Sequence, residues 1–424
     1  MGAGAGFAED RIEPAVDLVE RGELDFLVFE CLAERTIALA QLERRHNPSG
    51  GFDPLLRERM TAVLAPSIDR GVRIVTNAGA ANTRGAAALI ADIARDARVH
   101  VRIAAVLGDD VLALVDEPDA VSANAYLGSH SIVTALDRGA DVIVTGRVAD
   151  ASLFAAPIIH AHGWSLDDLD RVADALTVGH LLECAGQVTG GYFADPGVKD
   201  VPDLADLGFP LAEVQADGTA ILTKLAGSGG LLSVATCTEQ LLYEVHDPSS
   251  YVTPDAIVDL SQVHFTEIGP SRIAVVGARG MPAPPDLKVS VGYPGGYLAE
   301  GEISYAGPGC LARGDLALDV VEKRVRDLGI DVGELRLERI GVDAVYRGPR
   351  RPPAAEPPEV RVRVAGRVAR KADAERIGRE VTGLWLNGPA GGGGARRWVT
   401  EQVIIRSTYL PRASVTPSVE WIEV

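Results

Sequence analysis

Arg73-Ile-Val-Thr-Asn-Ala-Gly-Ala-Ala-Asn-Thr-Arg84 decides the fold. A short β-branched run enters a turn of small and polar residues, and an alanine-rich stretch follows to Ala97. A brief apolar run that stops at Asn or Gly is a buried strand, and a longer amphipathic run is a helix. The same unit recurs on both sides. Asp25-Phe-Leu-Val-Phe29, Val101-Arg-Ile-Ala-Ala-Val-Leu107 and Asp141-Val-Ile-Val-Thr145 are further strands. Helices are expected at Glu9–Glu20, Ala33–Arg45, Pro54–Asp69, Arg84–Ala97, Ser129–Arg138, Ala151–His162 and Asp167–Glu183. Strands that alternate with helices pair in parallel through right-handed crossovers. Residues 1–186 are therefore expected to form a Rossmann-like α/β domain with helices on both faces.

The texture changes near Gly186. Gly190-Gly191, Gly229-Gly230, Gly295-Gly296 and Gly391–Gly394 punctuate alternating patterns. Val263–Glu267 with Arg272–Val276 predicts a hairpin. Further strands are expected at Leu287–Tyr293, Leu335–Val342, Glu359–Val364 and Gln402–Thr408, with helices at Glu239–His246, Leu311–Leu328 and Ala372–Leu386. Residues 187–424 thus read as an α+β domain with a mixed or antiparallel sheet. Arg347-Gly-Pro-Arg-Arg-Pro-Pro353, continuing to Pro357-Pro358, is a stiff proline-rich connector.

The 424 residues carry a net charge of −18, which argues against a binder of nucleic acid or anionic membrane. From Arg324 to Arg412 the balance reverses to +7, so those arginines either pack on acids or meet an anionic ligand. Four scattered cysteines without a CxxC pair fit reduced thiols. No apolar run reaches a membrane span and no signal-peptide pattern opens the chain, so a cytoplasmic protein is expected.

In open α/β sheets ligands bind beyond the carboxyl ends of the strands. Those ends hold Asn77, Asn82 and Arg84 after one strand, Asp110 after the next, and Thr145, Gly146, Arg147 and Asp150 after the last. Arg84 and Arg147 are candidate clamps for a carboxylate or phosphate, and Asn77, Asn82, Asp110 and Asp150 candidate orienters. The competing reading is that Thr83 and Asp150 merely cap helices. Ser122, Asn124 and Tyr126, within Asp119–Gly128, line either a buried polar loop or a substrate wall. His180, Glu183 and Cys184 share a helix face, a spacing open to a metal, an acid/base pair or a structural hydrogen bond. It matches no zinc signature, so no metal is expected. Gly190, Gly191 and Tyr192 follow, where the backbone can approach a ligand. Lys288 sits in an alternating run, facing solvent or, if buried, paired with Glu302.

Other chemistries lack their motifs. Gly2-Ala-Gly-Ala-Gly6 has no strand before it, which speaks against a dinucleotide cofactor, and no GxxxxGK[ST] implies ATP. No GxSxG elbow supports a serine nucleophile. No cofactor is expected.

Longer strings carry a resemblance. They include Thr76-Asn-Ala-Gly79, Val121-Ser-Ala-Asn-Ala-Tyr-Leu-Gly128, Val144-Thr-Gly-Arg-Val-Ala-Asp-Ala-Ser152 and Gly179-His-Leu-Leu-Glu-Cys184. Thr189-Gly-Gly-Tyr-Phe-Ala-Asp-Pro196 and Gly301-Glu-Ile-Ser-Tyr-Ala-Gly-Pro-Gly309 extend them. The chain resembles the acyclic terpene utilisation (AtuA-type) family over most of its length. It departs at the ends, where the strand before Gly6 and the small C-terminal domain of many relatives are not expected. Members occur with pathways that degrade branched terpenoid acids as coenzyme A thioesters. The resemblance implies an enzyme or accessory protein acting on an acyl-CoA or related carboxylate.

Together these readings predict a cofactor-independent lyase of the hydratase or dehydratase kind. Asp110, Asp150, His180 and Glu183 are its candidate acids and bases; Asn77, Arg84, Asn124, Tyr126 and Arg147 are its candidate substrate contacts. The alternative is a non-catalytic ligand-binding or scaffold subunit that works with a partner protein. Strand edges in the second domain predict a homo-oligomer.

Overall fold

A computed structural model describes residues 1–346 and 355–424, so the expected connector at 347–353 falls outside the described residues. Contacts divide the chain into two compact units, Met1–Gly292 with Ile405–Val424, and Tyr293–Ile404. The first unit runs past the boundary expected at 186: four strands between 187 and 292 extend the N-terminal sheet, and three others form a small sheet of their own.

The first unit begins with β1 (Gly2–Ala5), α1 (Glu13–Arg21), β2 (Phe26–Phe29), α2 (Glu34–His46), α3 (Leu56–Asp69) and β3 (Arg73–Thr76). It continues through α4 (Thr83–Ala97), β4 (Arg102–Leu107), β5 (Ser122–Ala125), α5 (His130–Asp137), β6 (Val142–Thr145), α6 (Asp150–His162) and α7 (Leu169–Leu182). Next come β7 (Pro210–Val214), β8 (Ala220–Lys224), α8 (Val234–Leu242), β9 (Tyr251–Val252), β10 (Ile257–Asp259), β11 (His264–Gly269), β12 (Arg272–Val276) and β13 (Arg279–Met281). The last part of the chain forms β14 (Asp286–Ala306), α9 (Cys310–Asp327), β15 (Glu334–Ile340), β16 (Glu359–Val368), α10 (Lys371–Asn387), β17 (Gly393–Pro411) and β18 (Ser418–Glu423).

The principal sheet runs β11-β12-β8-β7-β1-β2-β3-β6-β4-β18. Its centre, β1-β2-β3-β6-β4, is parallel as expected, and antiparallel strands extend both sides. Apolar-rich strands such as Phe26–Phe29 and Val142–Thr145 are buried throughout, as central parallel strands must be. The chain moves outward from β1 to β4, then returns to insert β6 between β3 and β4. That reversal opens a crevice at the carboxyl ends of β3 and β6.

The expectation that no strand precedes Gly6 is corrected: Gly2–Ala5 is itself β1. A Cβ on Gly4 would stand 2.6 Å from the Phe29 ring, so glycine is what lets this strand lie against β2. Within Asp119–Gly128, the stretch open to being a buried polar loop or a substrate wall, Ser122–Ala125 forms the strand β5 and pairs with Val289–Gly292 of β14. α8 begins earlier than expected because Ser233 and Thr236 form a reciprocal capping box.

In the second unit, Tyr297–Ala306 of β14 pairs with β16, and β16 with β15, all antiparallel. Val360, Val362 and Val364 face a core built with Ile303, Tyr305 and residues of α9 and α10. The intervening Arg361 and Arg363 turn outward and meet Glu302 and Glu300. Much of the basic segment is therefore paired with acids. Among the described residues no helix is long and apolar enough to cross a membrane, and all four cysteines are free thiols.

Candidate active site

Three buried side chains stand just past the carboxyl ends of the central strands. Asn77, just past β3, donates from Nδ2 to Glu30 Oε1 (2.9 Å) and accepts the Cys31 N–H at Oδ1 (2.7 Å). Glu30 also accepts the Leu32 N–H (2.7 Å), and burial keeps its carboxyl above the usual range despite the nearby Arg147 charge. Asp109, just past β4, accepts at Oδ2 both the Asn124 Nδ2–H and the Arg147 backbone N–H, each at 2.9 Å. Complete burial pushes Asp109 up to about 6. Gly146 leaves room for this carboxylate: a Cβ there would lie 2.5 Å from Asp109 Oδ2.

Arg147 is 1% exposed. Its guanidinium donates to Leu32 O, to Val148 O (3.0 Å from Nε, 2.6 Å from the second terminal nitrogen) and to Asp150 Oδ1, and lies 4.5 Å from the Tyr126 ring centroid. It holds protein groups in place rather than reaching outward.

Beside Tyr126 and Asp150, the partners of Arg147, opens a cavity of about 420 Å³, within the usual range for small-ligand sites. Tyr126, Asp150, His180 and Glu183 all line it, together with Glu34, Tyr251 and Lys288. The Tyr126 hydroxyl donates to Glu34 Oε1, and Lys288 Nζ donates to the same oxygen at 3.2 Å while resting 4.8 Å from the Tyr126 ring centroid. Burial and the Glu34 carboxylate push Tyr126 up to about 12. Burial alone would raise Glu34, but the Tyr126 hydroxyl, a backbone N–H and the Lys288 and Arg147 charges bring it down to about 2. The cluster therefore pairs a firmly protonated phenol with a firmly ionised carboxylate.

On α7, His180 Nδ1 faces Glu183 Oε1 (2.9 Å) and Nε2 faces Leu241 O (3.0 Å). Both partners can accept, an arrangement that favours the imidazolium, which donates from both ring nitrogens. Burial opposes that charge, but the Glu183 carboxylate and the Leu241 carbonyl raise its pKa above the ordinary value. Tyr251 packs on the ring at 4.9 Å between centroids. Glu183 Oε2 is buried without a hydrogen-bond partner. Cys184 does not join the pair, and burial drives its thiol pKa far up. Among the described residues no three His, Cys, Asp or Glu side chains gather as metal ligands.

The remaining candidates lie elsewhere. Asn82, Arg84, Asp110 and Asn124 line a separate cavity of about 210 Å³. Asn82, not Thr83, caps α4, accepting the Gly85 N–H at 3.0 Å; α6 has no side-chain cap, and Asp150 is its first residue. Arg84 is not an anion clamp here: it forms a bidentate pair with Glu420 (2.8 and 2.7 Å) on the neighbouring β18. Thr145 Oγ1 donates to Gly146 O, and Ser122 is buried beside Gly292. Gly190 packs on Val201, while Tyr192 is 89% exposed, so this segment lines neither cavity. Lys288 pairs with Glu34 rather than Glu302, which serves Arg361. Sequence reasoning passed over Glu30, Glu34, Asp109 and Tyr251. Glu30 and Asp109 carried a usable signal, since each lies within two residues of the end of a buried strand, as Asn77 does.

Residues 1–421 match the family described as acyclic terpene utilisation family protein AtuA. No curated protein and no solved structure matches the chain.

Proposed function

The chain belongs to the acyclic terpene utilisation AtuA family, and on that premise we propose that its larger cavity is the active site of a lyase of the hydratase or dehydratase kind. Family membership suggests a role in acyclic terpene utilisation. The observation that carries the finer reading is Glu183 Oε2, a buried carboxylate oxygen with no partner in a cavity that also presents Lys288 as a donor. An unmet acceptor of this kind costs about 1–3 kcal/mol, a cost retained at sites where the group acts on a ligand.

Glu183 serves as the base that takes a proton from the carbon alpha to a carbonyl. Lys288, with only one of its N–H groups committed to Glu34, protonates the departing β-hydroxyl; the reverse steps add water. His180 fixes Glu183, and Arg147 fixes Asp150 and the Tyr126 ring. Both cavity-lining cations, Lys288 and His180, already face carboxylates. A free carboxylate substrate finds no uncommitted charge on them, so the acyl group enters in uncharged form, as in a thioester.

The test is turnover of a panel of branched enoyl- and 3-hydroxyacyl-CoA thioesters by the purified protein. Glu183→Gln should lower kcat by about 10²–10⁴ while leaving the melt near native. If the wild-type protein turns over none of them alone but binds one, the non-catalytic subunit reading replaces this one.

A further inference from the structure

The smaller cavity lies at the carboxyl end of β4, beside the first turn of α4. Asn124, on β5, lines it and is 1% exposed. Its amide cannot be turned round. Nδ2 donates to Asp109 Oδ2, and that oxygen also receives the Arg147 backbone N–H, so it must act as an acceptor. Asn124 Oδ1 is therefore the atom left buried with no partner. Asp109, whose Oδ2 already accepts twice, lines the same cavity. A ligand there meets one buried acceptor that needs a donor.

Charge narrows its class. Asp109 and Asp110 disfavour an anion, and Asn82 already occupies the Gly85 N–H at the start of α4. Arg44 and Arg84 disfavour a cation; Arg84 is paired with Glu420, and Arg44 donates to Ala81 O. What remains is a neutral group rich in O–H donors. An acid at a strand's carboxyl end accepting a sugar hydroxyl is a familiar solution in α/β sheets.

We propose that this second cavity binds the hydroxyl groups of a small neutral polyol such as a pentose, with Asn124 Oδ1 as the principal acceptor. The proposal is independent of the lyase reading of the larger cavity.

Saturation-transfer NMR on the intact protein, with D-ribose, glycerol, ethanolamine and propionate as probes, tests it. D-ribose and glycerol should bind, and Asn124→Leu should weaken both at least tenfold. Asp110→Tyr, at an exposed position on the cavity wall, should do the same without touching the Asn124–Asp109 bond. If Asn124→Leu does not fold, Asp110→Tyr carries the test alone. Absence of polyol binding, displacement of D-ribose by ethanolamine or propionate, or unchanged binding in a natively melting Asp110→Tyr protein overturns the proposal.

Discussion

Arg147→Lys separates a positioning role from a ligand-contacting one. The guanidinium spans Leu32 O, Val148 O and Asp150 Oδ1 at once from a site 1% exposed. Lysine keeps the charge, but its three donors radiate from one atom and cannot span three acceptors arranged around a planar fork. Asp150 would retain the ammonium, leaving at least one buried carbonyl unpaired and the Tyr126 face less well covered. Each unpaired carbonyl costs about 1–3 kcal/mol, and with the lost ring contact, about 0.5–2 kcal/mol, the total is about 1.5–5 kcal/mol. Unfolding entropy of about 2.1 cal/mol/K per residue, over the roughly 310 residues of the first unit, converts this to a fall in Tm of about 2–8 °C. Calorimetry on the variant, paired with titration of a short acyl-CoA, reads both quantities. A melt within one degree of wild type together with a tenfold loss of acyl-CoA affinity would refute the reasoning and show that the guanidinium touches ligand.

Folding raises Asp109 from about 3.8 to about 6, so the native state holds this proton more tightly. The resulting stability is complete below pH about 4 and is lost as pH climbs through 6, a swing of about 3 kcal/mol. Asp109→Asn should abolish that swing in urea titrations at pH 4 and pH 7.5; an unchanged slope would show that another group carries it. Glu34 has the opposite sign, since its depressed pKa gives stability present above pH about 4.5 and lost towards pH 2. Glu34→Gln should accordingly be less stable than wild type at pH 7 and equal to it near pH 2. Arg84→Ala removes only an exposed pair with Glu420 and should cost no more than about 1 kcal/mol by urea denaturation. Light scattering at micromolar concentration should return at least twice 44.6 kDa, since exposed Trp385 and Leu386 on α10 and Trp398 on β17 need cover.

The parallel centre of the sheet was legible because its strands are continuous apolar runs bounded by polar residues, a pattern that burial on both faces demands. β1 was not, since Gly-Ala-Gly-Ala lacks any strand-favouring side chain and is held by its neighbours. His180 and Glu183 were legible because helical spacing is local. Tyr126 was found on residue type alone, but its partners Glu34 and Lys288 lie 92 and 162 positions away, and no local pattern reports such a meeting. Asp109 and Asp110 are adjacent, and only the direction of each side chain leaving β4 decides which is buried. Arg84 misled for a similar reason: its counter-ion arrives on β18, more than three hundred positions later.

β18 pairs with β4 along its whole length, Ser418–Glu423 against Arg102–Leu107. During synthesis β4 emerges roughly three hundred residues before the strand that covers it, with all of β14 through β17 made in between. Until then one side of the principal sheet presents unpaired backbone N–H and C=O groups, a template for pairing with another nascent chain. Contacts of such long sequence separation also form slowly. Chains should therefore be prone to aggregate until β18 has docked on β4, and deleting residues 418–424 should cost yield in cells more than it costs the helices their content.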